Sequence, residues 1–452
     1  MEEHNKNINR RDFLKIVGIS AATTTAAATL YSCKQKDGVI PGGSASTPVP
    51  TDKMTYRTSV AQKDRVSLLG YGCMRWPTVP SPDGKGDMID QDAVNELVDY
   101  AIAHGVNYFD TAYIYRGNEK VLGELVAKNH WRAKIQIATK MPHYLIHSTD
   151  ELEKLFCEQL KRLQTDYVDN YLMHMLPDVH IWEKLVRMGI LDWINEKKAN
   201  GQIRRIGFSY HGNSQNFMAL LDAYDWEFCQ VQYNYMDIHN QAGAEGIAYA
   251  AKKGVPVIIM EPLRGGRLVN GLSKKAKDLF AAAEPKRSPA EWGLRWLWNQ
   301  PEISVVLSGM NSMAMIQENI RIADTVKVGE MTETDGAMFE DVRNAVNEKM
   351  KVPCTGCGYC QPCPYGVDIP GAFRCYNVRY TDNFFTGMRE YLMCTTFRSE
   401  RTNASLCRQC GKCEQHCPQG IAVRKELKQV VRHMENPVYK VIAFFAKDMF
   451  KK

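Results

Sequence analysis

The chain has 452 residues, more than one small core requires, so two or three structural units are expected. Hydrophobic residues make up 44% and charged residues 24%, an ordinary globular composition that gives no reason to expect bulk disorder. The formal charge of +6 is small for this length, and no basic stripe with interleaved aromatics is present. The sequence therefore gives no case for a nucleic-acid partner.

The first 33 residues are predicted to be an export signal and lie outside the fold argument. The stretch N-R-R-D-F-L-K at residues 9–15 resembles a twin-arginine signal, and a weakly apolar run over residues 16–30 follows it. The run ends L-Y-S-C at Cys33, which resembles a lipobox. These motifs predict export by the twin-arginine route and a lipid anchor on Cys33, on the periplasmic side of the membrane or on the outer membrane. The alternative is a frayed basic N-terminus with an incidental cysteine. Residues 34–53 are predicted to be a flexible linker.

From residue 54 to residue 328, short apolar runs alternate with longer amphipathic stretches such as 91–104, 149–163 and 181–200. The runs predicted to be strands are Leu68–Met74, Asn107–Ala112, Ile135–Lys140, Tyr167–Met175, Ile203–Tyr210, Phe228–Asn234, Pro256–Pro262 and Ile303–Met310. Eight strands alternating with helices over about 270 residues indicate an α/β fold of the TIM (β/α)8 barrel type. A doubly wound open sheet is the alternative, but no G-x-G-x-x-G follows the first strand, which counts against it.

Polar side chains follow three of these predicted strands. Asp110 lies at the end of Y-F-D-T-A-Y-I-Y, with Tyr115 five residues later. Lys140 ends I-Q-I-A-T-K, and His174 ends V-D-N-Y-L-M-H. In a parallel barrel the carboxyl ends of the strands meet on one face, where active sites are built. The four side chains are therefore expected to converge there.

These motifs carry a family resemblance. Y-F-D-T-A-Y-I-Y, A-T-K, Y-L-M-H, I-R-R-I-G-F-S, Q-V-Q-Y-N and Q-E-N occur in the order and spacing of the aldo/keto reductases, over about residues 54–326. The resemblance implies a barrel that binds NAD(P)H across its C-terminal face, without a Rossmann fold, and reduces a carbonyl compound or oxidises an alcohol.

The chemical properties of the four side chains also suit carbonyl reduction, independently of the family resemblance. Hydride delivery to a carbonyl builds negative charge on oxygen, which a nearby acid must neutralise. Tyr115 can supply the proton if the Lys140 ammonium lowers its pKa. Asp110 would keep Lys140 charged and oriented, and His174 would donate a hydrogen bond to the carbonyl oxygen.

The resemblance also implies the cofactor contacts. Ser209, Gln230 and Asn234 match positions that hold the nicotinamide amide, and Pro262 and Leu263 lie in the loop that runs along the cofactor. Met260 stands where many relatives place a stacking aromatic. The adenosine end would meet Ser308, Gly309 and Asn319, where amides near a helix N-terminus suit a phosphate. Gly309 and Met315 replace the lysine and arginine that often bind the 2′-phosphate, and Arg264, Arg267 or Arg321 would have to substitute. The choice between NADPH and NADH stays open.

Eight cysteines form two short runs near the C-terminus, within a predicted ferredoxin-type domain at residues 345–432. They are Cys354, Cys357, Cys360 and Cys363, followed by Cys407, Cys410, Cys413 and Cys417. The second run has the bacterial ferredoxin spacing, and the first is one residue short in its last interval. Zinc sites use cysteine pairs a dozen or more residues apart, and thiols this close seldom form disulfides. The pattern therefore predicts [4Fe–4S] clusters, two in preference to one, with the last cysteine of each run crossing to the other cluster.

The remaining features concern the C-terminal third. The 364–406 spacer contains a predicted helix, so the domain resembles all-helical ferredoxin modules. Five isolated cysteines are interpreted as buried packing thiols: Cys73, Cys157, Cys229, Cys375 and Cys394. The amphipathic tail at residues 433–452 is either a helix docked on the body or a membrane-surface helix.

Two functions compete. The first is an exported aldo/keto reductase-type oxidoreductase whose clusters transfer electrons or stabilise its C-terminal lobe. The second is an electron-transfer iron–sulfur protein on a barrel with little turnover. A hydride carries two electrons and a cluster takes one, and no flavin motif is visible, so the clusters either serve an external flavoprotein or quinone partner or only stabilise the C-terminal lobe.

Overall fold

The computed structural model describes residues 53–57, 65–84, 86–115, 117–354, 356, 358–417 and 419–446. The predicted export signal, Cys33, Cys357 and most of the 34–53 linker lie outside these residues. The described residues form two compact units, one ending at Glu348 and the other beginning at Lys349. The first unit thus extends past residue 328, where the sequence pattern placed its end.

Eight parallel strands close into a barrel in the first unit, each paired with its neighbour in the chain and the last paired with the first. They are β1 Leu69–Gly72, β2 Tyr108–Asp110, β3 Gln136–Met141, β4 Val168–Met173, β5 Ile203–Tyr210, β6 Phe228–Gln232, β7 Val257–Met260 and β8 Ile303–Ser308. The predicted barrel and all eight of its strands are confirmed. Most strands are shorter than predicted by one or two residues at an end.

Helices follow the strands and cover the barrel. In the first unit they are α1 Gln91–Ala103, α2 Asn118–Lys128, α3 Thr149–Leu163, α4 Val179–Met188, α5 Ile190–Ala199, α6 Ser214–Ala223, α7 Gly243–Lys252, α8 Lys274–Ala282, α9 Pro289–Trp298, α10 Met313–Thr325 and α11 Glu333–Asn347. The single helix predicted over residues 181–200 is wrong. Gly189 adopts a φ of +99° and divides it into α4 and α5, because that left-handed conformation ends a helix.

Short polar side chains start these helices. Ser148, Asp178 and Ser288 each accept a hydrogen bond from the backbone N–H three residues on, at the N-termini of α3, α4 and α9. Such caps satisfy donors that have no intrahelical partner, each contributing about 1 kcal/mol. They fix where each helix begins and therefore where the preceding loop ends.

Apolar side chains fill the barrel interior. Tyr108, Leu172, Phe228 and Ile258 belong to one buried cluster inside the barrel. Gly70 is required there, because a Cβ at this position would lie 2.7 Å from Leu307 Cδ2. The carboxyl ends of the eight parallel strands lie together at one end of the barrel, which forms its mouth.

The regular elements in the described residues of the second unit are all helical. The elements are α12 Ile369–Thr381, α13 Phe384–Tyr391, a π-helical turn Leu392–Thr396, α14 Lys412–Gln415, α15 Val423–Met434 and α16 Pro437–Ala446. The helix predicted in the spacer is present as α13. In α16, Tyr439 and Ala443 are buried in the core of this unit, which agrees with a docked terminal helix. No helix in the described part of the chain is both long and apolar enough to span a bilayer.

Candidate functional site

A buried ion pair lies at the barrel mouth. Asp110 ends β2 and Lys140 lies in β3, and Lys140 Nζ is 2.7 Å from each carboxylate oxygen of Asp110. The same ammonium donates to the carbonyl of Thr111 at 2.7 Å. Lys140 is 1% exposed, so these three acceptors replace the water that a charged amine loses on burial. Burial raises the pKa of Asp110, and the Lys140 ammonium opposes that rise.

Tyr115 and His174 complete the predicted quartet. Lys140 Nζ lies 5.1 Å from the centroid of the Tyr115 ring. The His174 ring is edge-on to that of Tyr115, with centroids 6.2 Å apart. The structure thus brings together side chains from the ends of β2, β3 and β4, as the sequence predicts. Tyr115 is only half-buried, so one edge of this group faces the mouth.

The surroundings of His174 disfavour a charge on its imidazole. Burial is the main cause that holds the pKa of His174 well below its ordinary value, and the positive charge of the nearby Lys140 is the second. Its Nδ1 is buried and has no hydrogen-bond partner among the described residues. A neutral imidazole in this position can donate one hydrogen bond to a ligand oxygen without bringing a second positive charge beside Lys140.

Two further histidines surround the quartet and were missed from the sequence. His143 follows β3 and His211 follows β5, and both are close enough to His174 to depress its pKa. Burial lowers the pKa of His143 itself to about 4. The rule that found Lys140 and His174, a polar residue after a strand end, would have found these two as well. They add two further hydrogen-bonding rings beside His174 at the mouth.

Behind Lys140 a polar network joins β3 to the helices outside the barrel. Buried Glu119 accepts hydrogen bonds from Thr139 Oγ1 and Gln159 Nε2, each at 2.7 Å, and from Arg162 at 3.0 Å. Gln159 Nε2 also donates to the carbonyl of Lys140 at 3.2 Å. A satisfied buried network of this kind fixes the backbone that carries Lys140.

The predicted cofactor residues lie at the ends of the next four strands. Ser209 in β5 is in register with Gln230 in β6, and both are buried. Gln230 Oε1 has no partner among the described residues, so it can accept from a ligand amide. At the end of β8, Ser308 accepts a hydrogen bond from Asn319 at 2.9 Å, next to Gly309.

Asn234 is engaged within the protein. Its amide donates to Asp237 at 3.0 Å, and its side-chain oxygen accepts from the backbone of Met236 and Asp237. Pro262 and half-buried Leu263 lie in the loop after β7, as predicted. Asn234 therefore shapes the turn after β6, whatever contact it makes with a ligand.

The loop after β7 is fastened by an ion pair that the sequence did not reveal. Arg264 donates to both oxygens of Asp237, from Nε at 2.9 Å and from Nη2 at 2.7 Å. Both residues are buried, and Gln232 adds a third bond to Asp237 at 2.7 Å. The Arg264 guanidinium therefore stabilises the loop after β7 through its bonds to Asp237. Arg75, from the loop after β1, lies against Gly265 and Gly309 on the same face.

The cysteines of the second unit separate into two groups. A cavity of about 310 Å³ is lined by Cys363, Cys407, Cys410 and Cys413, and Cys360 lines both this cavity and the next. A small neighbouring cavity is lined by Cys354, Cys360 and Cys417. No three cysteine, histidine or acidic side chains among the described residues converge on a point suited to a single metal ion. A cubane cluster instead spreads its thiolates around a wider centre.

The isolated cysteines are buried with one exception. Cys73, Cys229, Cys375 and Cys394 are buried, as predicted. Cys157 is exposed, so its assignment as a packing thiol is wrong. It lies on the outer face of α3 and donates a hydrogen bond to Glu153 at 3.4 Å, because the apolar stripe of that helix falls on other positions.

Comparison with known proteins places this geometry in context. Residues 68–335 match the family model described as the aldo/keto reductase family, and residues 353–422 match the 4Fe-4S dicluster domain. L-galactose dehydrogenase from Arabidopsis thaliana is 29% identical over 315 residues, covering 62% of this chain and 92% of the relative. Methylglyoxal reductase from Escherichia coli is 28% identical over 247 residues, covering 52% of this chain and 79% of the relative.

A solved structure shares the barrel. An aldo-keto reductase from Klebsiella pneumoniae in complex with NADPH superposes with a TM-score of 0.50 and 21% identity. The match covers 65% of this chain and 96% of that one.

Proposed function

The chain belongs to the aldo/keto reductase family, and from this premise we propose that its barrel is an NAD(P)H-dependent oxidoreductase acting on a small carbonyl compound or the matching alcohol. The observation that carries the proposal is the convergence of Asp110, Lys140, Tyr115 and His174 at the barrel mouth. An ion pair, a phenol and a neutral imidazole in one buried group are the components of proton transfer to an oxygen.

The roles follow from the contacts. Asp110 and the carbonyl of Thr111 accept hydrogen bonds from Lys140 and fix its ammonium beside the Tyr115 ring. That positive charge favours the phenolate and makes Tyr115 the proton donor to the developing alkoxide. His174 donates a hydrogen bond to the same oxygen and orients the substrate. The reduced nicotinamide supplies the hydride when it is bound.

The residues of this chain fit a nicotinamide cofactor. The unpartnered Oε1 of Gln230 suits the cofactor carboxamide, with Ser209 beside it in register. The backbone at Ser308 and Gly309 suits a phosphate. The Klebsiella pneumoniae aldo-keto reductase binds NADPH on a barrel of the same fold. Arg264 is bound to Asp237, so it could meet a 2′-phosphate only by breaking that pair.

We further propose that the second unit binds two [4Fe–4S] clusters. Cys354, Cys360 and Cys417 share one cavity, and Cys363 joins Cys407, Cys410 and Cys413 in the other. The last cysteine of each run thus lies with the opposite run, which is the arrangement of two-cluster ferredoxins. Cys357 would complete the first set. Bound clusters supply one-electron transfer, and a flavoprotein or quinone is the proposed partner that exchanges electrons with them.

We propose that this protein works outside the cytoplasm, anchored by a lipid on Cys33. Two features of the sequence support this. The twin-arginine motif and the lipobox stand in the right order. A folded, cofactor-loaded protein is also the kind of cargo that the twin-arginine route carries. Processing at Cys33, measured by mass spectrometry of the membrane fraction, tests it. An unprocessed chain in the soluble fraction would contradict it.

Anaerobic turnover measurements test the proposed reaction. The purified protein is mixed with NADPH or NADH and offered methylglyoxal, simple aldehydes, hydroxyaldehydes and quinones, while nicotinamide absorbance is followed. L-galactose with the oxidised cofactor tests the reverse direction. We expect aldehyde-dependent oxidation. No turnover with any acceptor, together with no cofactor binding by fluorescence titration, would leave the electron-transfer function as the better account.

Iron analysis tests the two-cluster assignment. We expect about eight irons and eight sulfides per chain, falling to about four in either Cys363→Ser or Cys417→Ser. Cys157→Ser is the matched control and should keep the full count, since Cys157 is exposed on α3 of the barrel unit. About four irons in the unaltered protein would contradict the assignment.

A further inference from the structure

The larger cysteine cavity reaches the surface of the second unit at Cys410. This residue is exposed, whereas Cys363, Cys407 and Cys413 on the same cavity are half-buried. A cluster held by these thiolates would therefore lie at the protein surface, where an external carrier can approach it. The inference below rests on the proposed function, because it takes a cluster as bound in this cavity.

The side chains around this cavity are cationic. Arg408, Lys412 and Arg424 line it and are exposed, and none of its described lining residues is acidic. Arg424 pairs with Glu414 at 2.7 Å, so part of its charge is already neutralised. Arg408 and Lys412 form no ion pair within the described part of the chain. Two exposed cations thus lie beside an exposed cluster ligand.

These cations favour an anionic partner. A four-iron cluster with four thiolate ligands carries a net negative charge, which by itself repels an acidic protein. Arg408 and Lys412 offset that repulsion where a partner would approach. Complementary charge across an interface speeds encounter and disfavours partners of the wrong sign, so a basic carrier is selected against.

Two exposed aromatic rings line the same cavity. Tyr359 is 67% exposed and Tyr365 is 46% exposed. Tyrosine is enriched in protein interfaces, because its ring supplies contact area and its hydroxyl a hydrogen bond. A quinone would instead call for an enclosed and mostly apolar pocket. Exposed rings flanked by cations therefore fit a protein partner better than a quinone.

We propose that Tyr359, Tyr365, Arg408 and Lys412 form a docking surface for a small acidic flavoprotein of the flavodoxin type. We call these four residues the cationic rim. In the docked pair, the anionic flavin hydroquinone of the carrier loses one electron and becomes the neutral semiquinone. The oxidised cluster gains that electron, and no proton moves. The rim thus supplies the one-electron exchange that the clusters require.

Binding is measured anaerobically on the full-length, cluster-loaded protein with a recombinant flavodoxin as the probe. Calorimetric titration with oxidised flavodoxin is carried out at about 20 mM and about 300 mM salt. We expect binding at low salt that weakens at least about tenfold at high salt, because screening acts on exposed charges. A basic cytochrome c should not bind. Equal affinity at the two salt concentrations, or no binding at low salt, would overturn the proposal.

Charge reversal tests the named residues. The double variant Arg408→Glu/Lys412→Glu should bind flavodoxin at least about tenfold more weakly at low salt, and its cluster should be reduced by flavodoxin hydroquinone at least about tenfold more slowly in stopped flow. Arg432→Glu/Lys440→Glu is the matched control, since both residues are exposed in the second unit and do not line the cavity. An equal loss in the control would overturn the proposal.

Iron content and reduction potential separate this inference from the cluster assignment. Both double variants should keep the iron count of the unaltered protein. Iron absent from the unaltered protein would overturn the cluster assignment and this inference with it. Full iron with charge-independent binding would overturn this inference alone. A shifted cluster potential with unchanged flavodoxin affinity in Arg408→Glu/Lys412→Glu would show that the cations serve the cluster, and would also overturn it.

Discussion

Lys140 Nζ is equidistant from the two carboxylate oxygens of Asp110, at 2.7 Å from each, in a site where both side chains are almost completely buried. A surface pair could be broken with little consequence, whereas a buried charge left without its partner is strongly unfavourable. Asp110 is therefore the counter-charge of Lys140, the cation that lies beside the Tyr115 ring.

Asp110→Asn should lower the free energy of unfolding by about 3 kcal/mol or more, because it leaves the Lys140 ammonium without a counter-charge. Carbonyl reduction should fall with it. Asp222→Asn is the matched control, since Asp222 pairs with Lys253 on the surface and should change stability by less than about 1 kcal/mol. Urea unfolding measures both. Equal effects in the two variants would show that the buried pair has no special role.

The buried imidazoles should make stability depend on pH. The pKa of His143 is lowered to about 4, and that of His174 lies well below its ordinary value. The unfolded chain binds a proton at each near pH 6.5, while the folded chain does not. Stability is therefore full above about pH 6.5 and falls as pH drops toward 4, by about 1.4 kcal/mol per pH unit for each histidine.

Thermal unfolding between pH 7.5 and pH 4.5 measures this dependence. His143→Asn should flatten the decline of the melting temperature, because one proton fewer is taken up on unfolding. His180→Asn is the control, since His180 is exposed on α4 and should follow the unaltered protein. An unchanged slope in His143→Asn would contradict the assignment of a buried neutral imidazole.

The Arg264–Asp237 ion pair predicts a second stability effect. Arg264→Met leaves the fully buried Asp237 without its cation and should destabilise the barrel by about 3–5 kcal/mol. The Arg264 guanidinium is bound to Asp237 and holds the loop after β7. Arg264→Met should therefore weaken the binding of NADH and of NADPH by the same factor. Titrations with both cofactors, alongside Arg267→Met and Arg321→Met, measure this. A selective loss of NADPH in Arg264→Met would mean that Arg264 binds the 2′-phosphate after all.

The sequence predicted what depends on local pattern. Asp110, Lys140 and His174 each end an apolar run, so their convergence follows from the barrel rule alone. Ile203–Tyr210 and Thr149–Leu163 were predicted to the residue, since strand and helix periodicities are strongest in such segments. Iron–sulfur ligation was evident from spacing, because cluster chemistry constrains neighbouring residues directly.

Contacts between distant residues could not be read in this way. Arg264 meets Asp237 across 27 positions, and this pair leaves no spacing signature in the sequence. Gly189 gave a signal that was overlooked, since a glycine inside an apparent helix is a frequent end point. Cys157 was misassigned because cysteine is buried more often than exposed, a tendency that a helix surface can override.

The turnover of Tyr115→Phe tests the central claim most directly. The change removes one hydroxyl and keeps the ring that packs beside His174 and Lys140. Tyr113→Phe is the matched control, because the Tyr113 hydroxyl binds exposed Glu158, outside the quartet. With the best aldehyde and NAD(P)H under anaerobic conditions, Tyr115→Phe should lose at least about 100-fold in kcat while Tyr113→Phe stays near the unaltered rate. Turnover in Tyr115→Phe equal to that of Tyr113→Phe would contradict the account.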